Sequence, residues 1–221
     1  MKQITLKRIL RKILNFRSYL LIYIELEADK TCFKGSDDYY KSYSVSEFDD
    51  ANQIHKFYLS QNWGLLNIDL IMSWLKEGHR CFVLMNEQAQ IIGVTWVETN
   101  LNSYKENGFF QLKKCNNVRL KANVGIISKI IIDRSHRGKQ LSNYLIFKTV
   151  EILKAENINY FLAFVLSTNG SSLRSFIKEG ANIIGIVKYT RIFNKVFNLV
   201  FNKADFWVQK SFDRAIEKET L

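Results

Sequence analysis

The stretch Ile130–Ile146 reads IIIDRSHRGKQLSNYLI. Three β-branched residues run into a charged turn holding a single glycine, and a helical pattern follows. β-Branched residues favour a strand, and apolar residues three and four apart favour a helix. The turn between them is where Arg137, Gly138 and Lys139 stand. The first turn of a helix leaves backbone N–H groups without partners, and the helix dipole makes that end electropositive. A phosphate is the group such an end accommodates best. The stretch therefore predicts a strand–turn–helix unit of a layered α/β domain, with an anion site at the handover.

Outward from this unit, the pattern continues to alternate. Downstream come a helix over 139–156, a strand INYFLAFV, a helix near 170–179, strands near 182–192 and 196–202, and a last helix over 205–218. The helix at 139–156 is apolar on two sides, with Leu141, Leu145 and Ile152 on one stripe and Ile146, Val150 and Leu153 on the other. One stripe suits a sheet; the other needs a cover, for which a terminal helix is the candidate. Upstream, strand material fills 118–133 after a polar loop at 100–117. Before that, CFVLMN and QIIGVTWVET read as strands joined by the turn NEQA. Helices are expected near 47–60 and 67–77, the second ending at Gly78. The first is expected to start at Ser46, where S-E-F-D resembles a capping box with Asp49 reaching back. A strand YYKSYSV precedes it, and the polar stretch TCFKGSDD reads as a linker.

Of a net charge of +11, six positive charges lie in the first 24 residues, which carry no acid. There Leu6, Ile9, Leu10, Ile13, Leu14, Phe16 and Leu20 share one helical face, and Lys7, Arg8, Arg11, Lys12 and Asn15 the other. This predicts a basic amphipathic helix over residues 1–24, too short and too charged to span a bilayer. Two readings of it stay open: a helix lying on an anionic membrane surface, or one covering the second stripe of the 139–156 helix or a partner's surface. Nucleic acid is not an expected partner, because no base-stacking aromatics are interleaved with the charges. The domain division expected is 1–30 for the basic helix and linker, 38–203 for the α/β domain and 204–221 for a helical tail. Cys32, Cys81 and Cys115 form no CxxC pair, and no cleavable signal pattern is present, which points to a cytoplasmic setting. His55, His79 and His136 lack metal-ligand spacing, so no metal is expected.

The glycine-rich loops of nucleotide-binding folds and the nucleophile elbow of hydrolases are missing. What remains is the opening stretch, and it resembles the GNAT N-acetyltransferases. Their consensus V-D-P-x-Y-R-G-K-G-I-G aligns without a gap on Ile132-Asp133-Arg134-Ser135-His136-Arg137-Gly138-Lys139-Gln140-Leu141-Ser142. A second motif of the superfamily, N-x-x-A-x-x-x-Tyr/Phe-x-x-x-G-F, has Asn169, Ser172, Phe176 and Gly180 at its spacings, with Ala181 in the last place. The order of elements from about 39 to 203 matches as well. The resemblance implies a GNAT-like mixed central sheet flanked by helices, here with the basic N-terminal helix added. It implies acetyl-CoA as co-substrate, with Arg137, Gly138, Lys139, Gln140, Leu141 and Ser142 cradling its pyrophosphate. Ile130, Ile131 and Ile132 would offer backbone groups to pantetheine, and Asn169 and Ser172 would meet the cofactor's arm. Three departures accompany it. Gln140 and Ser142 replace glycines, and Phe176 stands where many members carry the tyrosine proposed to protonate the leaving thiolate.

Acyl transfer to an amine needs positioning, a base and an oxyanion partner. Glu98 on VTWVETN is the leading base candidate, because period-two alternation groups it with Val94 and Trp96. Asp133 and His136 are weaker candidates. The expected acceptor is a small primary amine, with an amino sugar of surface-polysaccharide assembly favoured. A peptide N-terminus, lysine or antibiotic amine is the rival acceptor, and a non-catalytic sensing or scaffold domain is the rival function. The expected location is cytoplasmic, with attachment to the inner face of the membrane through residues 1–24 and a homodimer left open.

Overall fold

The computed structural model describes residues 17–28, 37–62, 66–99, 123–192 and 195–202. Among these described residues, eight strands form one sheet in the order β2-β3-β4-β5-β6-β1-β7-β8. They are β1 Arg17–Glu27, β2 Ser44–Glu47, β3 His79–Met85, β4 Ile91–Glu98, β5 Val124–Ile132, β6 Tyr160–Leu166, β7 Asn182–Ile192 and β8 Lys195–Asn202. The α-helices among the described residues are α1 Asp37–Tyr40, α2 Ala51–Ser60, α3 Ile68–Lys76, α4 Leu141–Lys154 and α5 Gly170–Lys178. Every strand pairing is antiparallel except β5 with β6, which is parallel. The expected mixed α/β sheet flanked by helices is thus present.

Alternation along the central strands sends side chains to two cores. Phe82, Leu84, Val97 and Ile127 join Leu141, Leu145, Ile146 and Val150 of α4 and Phe176 of α5 on one face. Cys81, Val83, Val94, Trp96 and Ile131 join Ile54, Phe57, Tyr58 and Ile71 of α2 and α3 on the other. Both stripes of α4 are buried, apart from half-buried Ile152. Tyr40 of α1 stacks on Tyr144 of α4 with ring centroids 4.8 Å apart. Asn143 of α4 donates to Ser175 O at 3.1 Å and to Glu179 Oε1 at 2.8 Å on the α5 side. Neighbouring segments α1 and α5 therefore supply part of the cover that a terminal helix was expected to give. Arg80 ties β3 to β2 and to the turn after α4, with Nε 2.8 Å from Glu47 Oε1 and Nη2 2.8 Å from Glu156 Oε1.

Several local expectations are corrected. Tyr39 and Tyr40 belong to a helical turn, not a strand, and β2 begins at Ser44. Ser46 lies in β2, opposite Val83, so it cannot start a helix. The cap is Asp50, whose carboxylate accepts from the N–H groups of Asn52 and Gln53; an ionised cap is the stronger acceptor. The helix expected over 1–24 is also corrected where it can be compared. Residues 17–24 lie in β1, which pairs antiparallel with β6 from Leu21↔Leu166 to Glu27↔Tyr160. On its other edge β1 pairs with β7 from Arg17↔Arg191 to Glu25↔Asn182. A short apolar run such as SYLLIYI is ambiguous between helix and buried strand, and two non-local ladders decide it here. Residues 1–16, the loop 100–117 and the helix expected over 205–218 lie outside the described residues.

Because β1 fills the sheet between β6 and β7, deleting residues 1–27 exposes two strand edges at once. The truncated chain is expected to lose the cooperative thermal transition of the full chain in circular dichroism. Unchanged melting would show that β1 is not integral to the sheet.

Candidate functional site

The parallel ladder between β5 and β6 runs only from Val124↔Tyr160 to Ile127↔Ala163. β5 continues to Ile132 and β6 to Leu166 without pairing to each other, so the sheet opens between Ser128–Ile132 and Phe164–Leu166. At this point β5 carries one extra residue. Val94 pairs with Ile131 and Trp96 with Ser128, and Lys129 adopts the left-handed conformation with φ 52°. This is a β-bulge, which kinks a strand and redirects its side chains. Thr95 Oγ1 donates to Ser128 O across it at 3.3 Å.

The loop after β5 stands at the mouth of this cleft. Asp133 caps the 3₁₀ turn Arg134–His136, accepting from Ser135 N–H at 2.8 Å. Hydrogen bonds from Ser135 first, with those from His136 and Gln61, hold its carboxyl down at about 2. Such an acid is a weak proton acceptor at neutral pH. Gln61, buried at the end of α2, donates through Nε2 to Asp133 Oδ2 and accepts from Arg134 N–H at 3.2 Å. Arg137 donates through Nε to Ile132 O at 3.1 Å.

Two left-handed residues follow, Gly138 at φ 79° and Gln140 at φ 55°. A Cβ at Gly138 would meet no protein atom within 4 Å, so the backbone there faces open space. Gln140 is the N-cap of α4 and makes no side-chain cap hydrogen bond. Among the described residues, the N–H groups of Gly138, Lys139, Gln140, Leu141 and Ser142 have no backbone or side-chain acceptor. Alternating left-handed turns with free amides form an anion-binding concavity, and the exposed cations Arg137 and Lys139 flank it. These features fit a pyrophosphate.

The second motif lies alongside. Ser142 Oγ of α4 is 3.4 Å from Ser175 Oγ of α5. Asn169 is the N-cap of α5, its side-chain oxygen accepting from Ser172 N–H at 3.2 Å. That oxygen caps the helix, and the amide nitrogen of Asn169 can donate to a ligand. Ile131 and Ile132 are buried and Ile130 half-buried, with Ile130 and Ile132 packed into one core and Ile131 into the other. Phe176 is 2% exposed in the core under α4 and carries no ionisable hydrogen.

Glu98 ends β4, directly opposite His79 on β3 and Ile126 on β5. Its register puts it level with the Ile126↔Leu162 pair, one pair before the ladder ends and the cleft opens, close to the apex of the cleft. From Gly93, opposite Ile132, to Glu98 is a rise of roughly 17 Å at the usual strand spacing. Glu98 is 5% exposed, and its Oε1 lies 4.0 Å from His79 Nε2. Lys129 of the bulge sits in the same cluster, its Nζ 3.5 Å from the centroid of the Trp74 ring. Burial pushes the Lys129 ammonium down to about 8, against the opposing pull of the Glu98 charge. Burial likewise lowers His79, with Glu77 pulling the other way. Lys129, His79, Gln61 and Trp74 were not singled out for chemistry by sequence. A lysine interrupting IISKIII was the one available signal. Cys81 is buried, and burial pushes its thiol up, as suits an inert core side chain. No group of three His, Cys, Asp or Glu side chains among the described residues could hold a metal ion.

Residues 37–180 match the Acetyltransferase (GNAT) family, spanning both motifs and the cleft between them. The chain belongs to that family. Its members use acetyl-CoA as co-substrate. No curated relative matches at a significant level. Solved structures share the fold at low identity. The GCN5-related glucosamine N-acetyltransferase region of a fungal multi-domain GH3 β-N-acetylglucosaminidase is 10% identical, with a TM-score of 0.56 over 84% of this chain and 21% of that one. A GCN5-related N-acetyltransferase from Sphaerobacter thermophilus is 10% identical, with a TM-score of 0.53 over 84% and 55%. A putative GNAT-family acetyltransferase from Novosphingobium aromaticivorans is 12% identical, with a TM-score of 0.51 over 85% and 66%. This GNAT chain thus spans about a fifth, a half and two thirds of those chains.

The buried Lys129 gives a signed pH dependence. Its pKa falls from 10.5 to about 8 on folding, so between those values the unfolded chain binds more protons than the native one. Stability from this group therefore rises as pH goes from about 8 to 10.5. Chemical denaturation across that window should show the rise, and Lys129→Met should flatten it. An identical slope in the variant would place the titration elsewhere.

Proposed function

We propose that this GNAT chain transfers the acetyl group of acetyl-CoA to a primary amine. The observation that carries the reading is the opening of the sheet between β5 and β6, with an uncapped helix start at its mouth and a buried carboxylate close to its apex. Pyrophosphate binds the amides of Gly138–Ser142, assisted by Arg137 and Lys139, and Asn169 donates its amide to the cofactor's arm. Pantetheine runs down the cleft beside Ile130–Ile132 and delivers the thioester to the bulge at Lys129. Glu98 takes a proton from the ammonium, the neutral amine nitrogen attacks the thioester carbon, and the adduct's remaining acidic N–H proton passes to the departing sulfur. The carbon–sulfur bond then breaks, leaving an amide and the thiol of CoA.

The favoured acceptor is an amino sugar of surface-polysaccharide assembly. It suits a chain whose first 16 residues carry five cations and no acid, a composition drawn to anionic surfaces. No helix among the described residues is long and apolar enough to cross a membrane. Since residues 17–24 belong to the sheet, any surface attachment falls to residues 1–16.

Gly138→Val is expected to weaken acetyl-CoA binding in isothermal titration, since a branched side chain strains the left-handed backbone and fills the open space. Equal affinity in a folded variant would move the pyrophosphate elsewhere.

Glu98→Gln is expected to slow acetyl-CoA-dependent thiol release with an amine panel by roughly 10²-fold, leaving cofactor affinity unchanged. The deficit should shrink at high pH, where the amine is already neutral. Wild-type turnover in the variant would assign the base to another group. Binding without thiol release from any amine would instead favour the sensing or scaffold reading.

A further inference from the structure

Where the family motif has glycine, this chain has Gln140, and Gln140 holds φ 55° and ψ 18°. A side chain in that left-handed conformation is strained by the clash of Cβ with the following carbonyl oxygen. Something must hold the peptide in place. One contact from a distant part of the chain does so. The phenol of Tyr40, on the one-turn helix α1, donates to the carbonyl oxygen of Lys139 at 3.2 Å. Tyr40 is 6% exposed and stacked on Tyr144, so its hydroxyl is aimed from a fixed ring. Burial raises the phenol above its ordinary value, and it remains a donor throughout the neutral range.

The Lys139–Gln140 peptide is trans and planar. Fixing its carbonyl therefore fixes the Gln140 N–H, which points away from Tyr40. That N–H is one of the amides offered to the pyrophosphate. We infer that Tyr40 is a positioning residue for acetyl-CoA, whose hydroxyl holds the Lys139–Gln140 peptide in the binding orientation and so offsets the strain of Gln140 in a glycine position. The inference rests on the reading of Gly138–Ser142 as the pyrophosphate cradle.

The test is a cycle of acetyl-CoA affinities measured by isothermal titration, each variant also melted. Tyr40→Phe keeps the stacked ring and removes only the hydroxyl. It should weaken binding by about five-fold, the range of one net hydrogen bond. Gln140→Gly removes the strain, so Tyr40→Phe/Gln140→Gly should return to within about two-fold of wild type, judged against the same hydrogen-bond range. Its melting temperature should also exceed that of Tyr40→Phe, which keeps the test decisive if the single variant is poorly folded. Tyr144→Phe removes a hydroxyl from the same stack, one that donates to Tyr43 O and not to the loop, and should bind as wild type does.

Wild-type affinity in Tyr40→Phe would overturn the inference. So would a loss that Gln140→Gly leaves unrepaired, or an equal loss in Tyr144→Phe, which would reduce the effect to packing. The cradle itself is judged separately: if wild type and Gly138→Val bind acetyl-CoA equally, the underlying reading fails whatever Tyr40 does.

Discussion

β5 and β6 share a parallel ladder for four residue pairs and then separate, and the rest of the site takes its position from that separation. Parallel strands without mutual hydrogen bonds leave backbone groups facing a gap, and a linear cofactor arm can occupy it. The bulge residue Lys129 falls two residues beyond Ile127, the last residue of β5 paired with β6. It bends β5 away and turns a lysine towards the α3 side of the sheet, where Trp74 and Glu98 stand. The same departure carries Ile132 out to the loop that starts α4. Mouth, channel and apex are therefore three consequences of one interrupted ladder.

The mouth is a loop held by bonds of long range. Gln61 grips both Asp133 and the Arg134 N–H, Tyr40 grips the Lys139 carbonyl, and Arg137 returns to the carbonyl of Ile132. Each satisfies a backbone or carboxylate group on the protein side and leaves the amides of 138–142 on the open side. Preorganised donors of this kind stabilise an anion without the cost of ordering them on binding.

The apex works by burial. Glu98, His79 and Lys129 are withdrawn from water together, which makes their mutual interactions stronger than surface ones. Desolvation lowers both His79 and Lys129, while Glu98 supplies the opposing charge at Lys129. The family's usual acid position contributes nothing to this cluster, because Phe176 is packed in the core on the other face of the sheet.

Much of this was legible in the sequence where the cause is local. Strand alternation, the two stripes of α4, the Gly78 helix stop and the Arg-Gly-Lys turn depend on neighbours a few residues apart, and each reads directly from the chain. The placement of Glu98 on the face of Val94 and Trp96 follows from strand period alone. What only the tertiary structure decided rests on partners far along the chain. SYLLIYI suits a helix by itself and becomes β1 because β6 and β7 present two open ladders to it. Ser46 offered a plausible cap, yet pairing with β3 claimed it and left Asp50 to start α2. Asn169 matched a cofactor motif, and the structure shows its oxygen capping α5. Tyr40 and Gln61 carried no motif at all, since a residue 99 or 72 positions away from its partner leaves no spacing to read. Local periodicity fixes which elements can form; non-local hydrogen bonds and burial decide which of them do, and which side chains meet at the site.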